Sequence, residues 1–115
     1  IADQDAGRKG VFVDFFGRKA STYKSIALIA MQHDAPVIVG YGRRLDEKYR
    51  FEIAVQRIIH PEEWADKENP MLWITQEYTR ELENVIRTAP EQYLWVHRRW
   101  KHRPKGEPTP PDGVA

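Results

Sequence analysis

Gly10-Val11-Phe12-Val13-Asp14-Phe15-Phe16-Gly17 is the stretch that decides how this 115-residue chain is read. Val11, Val13 and Phe15 alternate with Phe12, Asp14 and Phe16. The alternation predicts a strand, and apolar side chains on both faces predict burial on both sides. Gly10 and Gly17 bracket it as turn residues. An unpaired buried carboxylate is costly, so Asp14 belongs at a sheet edge or beside a cation such as Arg18. Upstream, Ala2-Asp3-Gln4-Asp5-Ala6-Gly7 is an acidic turn. It is either simply solvated or it points Asp3 or Asp5 into a cleft. Downstream, Arg18-Lys19-Ala20-Ser21-Thr22 reads as the opening of a helix, with Ser21 or Thr22 as its N-cap. A helix N-terminus beside two basic side chains can bind an anion such as phosphate. From spacing alone, an ordinary cap with solvated charges is the favoured alternative.

Beyond this joint, Tyr23, Ile26, Ala27 and Ala30 recur with helical spacing, and the helix should stop near His33-Asp34, ahead of Pro36. His33 there reads as a dipole partner. Pro36-Val37-Ile38-Val39-Gly40-Tyr41 is a continuous apolar run of the kind found in central parallel strands. Strand, helix and strand in succession predict a βαβ unit with a right-handed crossover. Residues 49–55 alternate strictly and should form a half-exposed strand in a hairpin with the preceding one. Residues 56–69 form a connector, with Trp64 as a packing anchor. Asn69-Pro70 starts a helix whose buried stripe is Ile74, Tyr78, Leu82, Val85 and Ile86. Thr88-Ala89-Pro90-Glu91 has the pattern of a capping box before a last helix. On that helix Tyr93, Val96 and Trp100 would share a face, with Arg98, Arg99 and Lys101 largely elsewhere. The fold class is α/β: a partial mixed sheet with a βαβ unit, a hairpin and two C-terminal helices. Residues 1–104 form the domain portion, and 105–115 a flexible Pro-rich tail.

Net charge is +1, but it is unevenly placed. Residues 97–105 hold five Lys/Arg and two His, while the other 13 basic residues face all 17 acidic ones. A local basic patch implies an anionic surface or ligand. Interleaved aromatics and cations suit a membrane surface or stacked nucleic-acid bases, or the aromatics are core and the cations solvated. With no cysteine, disulfides and thiolate metal sites are excluded. Mean hydropathy is −0.68, and no apolar run approaches the roughly 18 residues of a membrane span. There is no internal repeat, phosphate-cradling glycine loop, HExxH, nucleophile elbow or metal-ligand spacing among the four histidines. The first residue is Ile, which points to a truncated piece or to processing.

Ala89-Pro90-Glu91-Gln92-Tyr93-Leu94-Trp95-Val96-His97-Arg98-Arg99-Trp100-Lys101-His102-Arg103-Pro104 closely resembles the C-terminal signature of the lipid A biosynthesis acyltransferases. Ala2 to Gly7 resembles their short acidic motif. Val11 to Gly17 with Ala20-Ser21-Thr22 resembles their aromatic strand, and Ala35 to Val39 the strand that follows. The resemblance covers nearly all of residues 1–104, and motifs in the right order make it specific.

The resemblance implies an acyltransferase fold, an acyl carrier protein thioester as donor and a glucosamine-disaccharide lipid as acceptor. It implies work at the cytoplasmic face of the bacterial inner membrane, with the present piece soluble, and requires neither cofactor nor metal. The family's catalytic dyad is a His with an acidic residue five positions on. Only His102 has that spacing, to Glu107, and it follows the wrong motif. No catalytic residue is therefore assigned here, and the chain is expected to be a C-terminal fragment, inactive or nearly so alone. Asp3 and Asp5 would line the cleft. Arg18, Ser21 and Thr22 would meet donor or acceptor phosphate. Arg98, Arg99 and Lys101 would face the membrane or the carrier protein. Strand edges bared by a missing half would favour self-association. The alternative is a stand-alone module that binds anions or nucleic acid through the basic helix. Nucleic acid ranks last among the partners, and a purely structural domain is the remaining competitor.

Overall fold

The computed structural model describes residues 2–108. Most of the expected tail, 109–115, lies outside the described residues, as does Ile1. The elements are strands β1 (Val11–Phe15) and β2 (Arg18–Thr22), helix α1 (Ser25–His33), strands β3 (Val37–Arg44) and β4 (Phe51–Ile59), and helix α2 (Pro70–Thr88). Short 3-10 turns span Gly7–Lys9, Pro61–Glu63 and Pro90–Gln92.

The expected α/β class holds, with a different pairing. β1 and β2 form one antiparallel hairpin, β3 and β4 another, and the described residues contain no parallel pair between them. The sequence 18–22 is thus a strand where a helix start was expected, and the βαβ crossover is not formed. The cause is the turn between β1 and β2. Phe16 and Gly17 both have positive φ, 51° and 73°. That is the two-residue pattern whose twist matches a hairpin. It returns the chain at once, with Phe15 opposite Arg18 and Val11 opposite Thr22.

The outer edges of this hairpin are closed by side chains instead of strands. On β1, Gln76 of α2 takes both backbone groups of Asp14: its Oε1 accepts from the amide at 2.8 Å and its Nε2 donates to the carbonyl at 2.9 Å. Asp14 is at an edge, as expected, but its cation is Lys19 (3.0 Å), not Arg18. On β2, the carbonyl of Ser21 accepts from Ala6 N and Arg99, and that of Lys19 from Arg103. An edge so occupied offers nothing for β3 to pair with.

α1 stops at His33 as predicted, with Asp34 in the left-handed region at φ 48° and Ala35 N bonded to Ala30 O. Ala27 and Ala30 are buried from the predicted stripe, whereas Tyr23 is exposed. β3 and β4 make the expected hairpin, each running further than the spacing implied. A bulge lies between Val39 and Gly40, which pair with Arg57 and Val55 and leave Gln56 without an opposite. Two residues against one reverses which side chains face inward. Ile59 and Arg57 consequently point at α2, while Phe51, Ile53 and Val55 point away from it, the last three 59%, 89% and 60% exposed. The expected half-exposed strand therefore turns its apolar half outward.

α2 is the spine. Asn69 Oδ1 accepts from Leu72 N at 3.1 Å, and Pro70 fills the first turn. Ile74 and Tyr78 pack with Ala27, Ala30, Val39, Ile59 and the predicted anchor Trp64. Two turns on, Ile86 packs with Phe15 and Ala20, joined by Phe16, Tyr93 and Trp100. Arg57 ties β4 to the same helix through Glu77 (2.7 Å) and to Glu63 (2.6 Å).

The last helix is absent. Pro90–Gln92 is a single 3-10 turn, and the described chain beyond it has no helix. Consecutive residues of a helix point about 100° apart. Here Arg99 and Trp100 both enter the β1–β2 hairpin, Arg99 at β2 and Trp100 stacked on Phe15 at 5.3 Å. Trp95 Nε1 bonds Pro90 O at 2.7 Å, and Val96, expected inside with Tyr93 and Trp100, is exposed. The basic stripe on which the nucleic-acid module depended is consequently not formed.

Candidate active-site cleft

Asp3 and Asp5 lie in an irregular segment whose own backbone bonds are few: Gln4 N to Ala2 O, and Ala6 N to Ser21 O. The C-terminal signature holds both. Arg99 Nε donates to Asp3 Oδ1 at 2.9 Å. His102 Nδ1 lies 2.6 Å from Asp5 Oδ2. Asp5 N donates to His97 Nε2 at 3.2 Å, and Asp5 Oδ1 accepts from Gly7 N at 3.1 Å. Tyr93 lines the same cleft as Asp3. Burial first, and then the neighbouring Asp3 carboxylate, push its hydroxyl well above the ordinary phenol range.

Asp3 sits where two apolar clefts meet. One, of about 180 Å³, runs along α2 and the end of β3 between Tyr41, Leu82, Ile86 and Tyr93. The other, of about 350 Å³, lies between α1, β3 and α2, lined by Ile26, Val37, Val39 and Tyr78. Leu82 and Asp3 border both. Tyr78 donates to Tyr23 O at 3.0 Å, and burial pushes its hydroxyl pKa up to about 12, against an opposing pull from Arg99. Two apolar clefts that share one carboxylate suit a hydrocarbon whose polar end must be placed.

Asp5 faces the other way. With His97, Arg98, Lys101 and His102 it lines an open hollow on the surface. The remaining sequence candidates do not converge. Ser21 and Thr22 are fully buried in β2, not at a helix start. Ser21 Oγ donates to Gly7 O, and Thr22 Oγ1 donates to Ala20 O and accepts from Arg99. Burial and internal bonding remove the anion cradle expected of a helix N-terminus. Arg18 lies at the other end of the strand, beside the turn. Arg99 is 1% exposed, so of the three cations expected to face outward it points inward, while Arg98 and Lys101 border the hollow. Among the described residues no cluster of His, Cys, Asp and Glu is arranged to hold a metal ion, and no helix is long and apolar enough to cross a membrane. His97 and His102 as partners of the acidic turn, and Tyr93 beside it, were not expected from local sequence. The available signal was complementarity: a DxD turn at one end of the chain and a cluster of five cations with two histidines at the other.

The family model for bacterial lipid A biosynthesis acyltransferases matches residues 1–102. The chain belongs to this family. It is 36% identical over 109 residues to the lipid A biosynthesis palmitoleoyltransferase of Escherichia coli (strain K12), covering 91% of this chain and 33% of that protein. It is 32% identical over 113 residues to the lipid A biosynthesis lauroyltransferase of the same strain, with coverages of 93% and 34%. A lipid A biosynthesis acyltransferase of Haemophilus influenzae is 30% identical over 112 residues, with coverages of 93% and 32%. The chain spans about a third of the length of the curated relatives it matches. In this member of the lipid A acyltransferase family, the acidic turn and the C-terminal signature form one assembly, although Asp3 and Arg99 stand 96 positions apart.

Proposed function

We propose that this chain forms one part of an acyltransferase that moves a fatty acyl group from an acyl carrier protein thioester to a hydroxyl of a lipid A-type acceptor. The carrying observation is Asp3, fixed at the junction of two apolar clefts in a chain of this family. The acceptor oxygen attacks the thioester carbonyl, an ester forms, and the carrier thiol leaves with a proton. The general base for that hydroxyl lies outside these 115 residues, because no His here precedes an acidic residue by five in the family's context. Asp3 orients the polar end of a substrate whose chain occupies the clefts. Arg98 and Lys101 offer two cations to the acidic carrier or to anionic lipid at the cytoplasmic face of the inner membrane, at the rim of a hollow that Asp5, His97 and His102 also line. Ser21 and Thr22 enter this reading as supports of the hairpin, their hydroxyls bonded inside it. Alone, the chain turns nothing over, and its outward apolar face makes it self-associate.

The test is acyl transfer from an acyl carrier protein thioester to a lipid A precursor by a protein of the relatives' full length that carries this chain. Asp3→Asn should lower kcat by about 10²-fold, the scale of a positioned polar group at a reacting centre. Undiminished turnover in Asp3→Asn would remove Asp3 from the site. No transfer by the parent protein would remove the function.

A further inference from the structure

We propose that Arg99 is a positioning residue that fixes the Asp3 carboxylate at the junction of the clefts, so that the C-terminal signature acts on the site from behind it. The inference rests on the reading of that cleft as the acyl-transfer site. Arg99 is a large side chain at 1% exposure, and all three of its nitrogens are engaged. Nη1 donates to Ser21 O at 2.6 Å and Nη2 to Thr22 Oγ1 at 2.8 Å. Its guanidinium carbon stands 5.4 Å from the centre of the Phe15 ring. Two strand groups and an aromatic face thus determine where the planar fork lies. The third nitrogen, Nε, is left aimed at Asp3.

Asp3 has no such scaffold. It belongs to neither helix nor strand. Its place is set by the side chain that reaches it, Arg99, with Tyr93 beside it on the cleft wall. A lysine at position 99 is a point charge on a flexible stem and cannot hold Ser21, Thr22 and Asp3 in one fixed fork. The charge would survive that change while the geometry was lost. His102 ties Asp5 separately, so the acidic turn stays attached when Arg99 is altered.

In the full-length protein carrying this chain, kcat and KM are measured per folded molecule for Asp3→Asn, Arg99→Lys, the double variant and Thr22→Val. Arg99→Lys should lower kcat by ~10–100-fold with KM within about twofold, as for an interaction used mainly in the transition state. The double variant should be no slower than Asp3→Asn, because both changes remove one unit. Thr22→Val keeps the strand and the arginine but frees one corner of the fork, and should lower kcat about threefold or more. Losses that multiply in the double variant would overturn the proposal. So would full kcat in Arg99→Lys when Asp3→Asn is impaired. If Arg99→Lys does not fold, Thr22→Val decides: unchanged kcat overturns the role and a kcat loss at constant KM supports it. Full activity in Asp3→Asn is a separate outcome. It strikes the reading of the cleft.

Discussion

Phe16 is a bulky residue in left-handed backbone at φ 51°, a region that costs an L-residue roughly 1–2 kcal/mol. α2 holds it there. Glu83 Oε2 accepts its amide hydrogen at 2.7 Å, and the Arg87 guanidinium lies 4.9 Å from its ring centre. Gly17 follows at φ 73° with open space around it. Gly17→Ala should therefore lower stability by roughly 1–2 kcal/mol through backbone strain alone, read as a lower urea midpoint at unchanged slope. Gly10 is the opposite case. Its φ is ordinary, but an added methyl group would meet Ser21 Oγ, Ala6 Cβ and Thr22 O. Gly10→Ala should cost roughly 1–3 kcal/mol by overpacking and detach the acidic turn from β2. The buried phenols set an alkaline limit. Tyr78 ionises near 10 when unfolded and near 12 when folded, so the unfolded state holds fewer protons between those values. Stability is then fully present below pH 10 and falls as pH rises toward 12. Tyr78→Phe should flatten that part of the profile in a pH series of thermal melts.

At the scale of elements, α2 was legible because Ile74, Tyr78, Leu82 and Ile86 repeat with helical spacing behind an Asn-Pro start, and packing agrees with that pattern. The end of α1 was legible for a similar reason, since Pro36 bars continuation. The β1–β2 hairpin was not. Its turn is Phe-Gly, without the Asn or Asp that normally signals one, and the Ala-Ser-Thr after it imitates a helix cap. The false last helix arose because apolar letters at 93, 96 and 100 fit a helix, while the contacts that settle the matter are to residues about 80 positions away. The acidic turn was visible as a motif, but its clamp was not, because no local rule links Asp3 to Arg99. Side chains that finish sheet edges were equally hidden. Gln76 on β1 has a counterpart in Gln92, which takes both backbone groups of Arg44 on β3 at 2.8 and 2.9 Å. Gln76→Ala should cost about 1–2 kcal/mol and speed hydrogen exchange at the Asp14 amide, with the Arg44 amide unaffected.

The whole molecule is a plate, 46 × 39 × 19 Å. Its radius of gyration is 15.3 Å, against about 13 Å for a compact domain of this length. One broad side carries Ile38, Phe51, Ile53, Val55 and Ile58, all exposed, with Gly40 and Gly42 between them. Apolar patches of this kind are rare on monomers. The chain by itself should self-associate, as measured by sedimentation over a concentration series, and Ile53→Lys should shift it toward monomer without lowering its melting temperature.

The ties between Asp3 and Arg99 and between Asp5 and His102 each join residues 96 or 97 positions apart. They close nearly the whole chain into a ring without a covalent bond. Closing so long a loop carries a large entropic cost, so such contacts form late in folding, after the local hairpins and α2. The order of events then runs opposite to the order of importance: the carboxylate at the cleft is among the last parts to set and the first to come free. Substitutions at Arg99 or His102 should accordingly speed unfolding and leave the refolding rate nearly untouched.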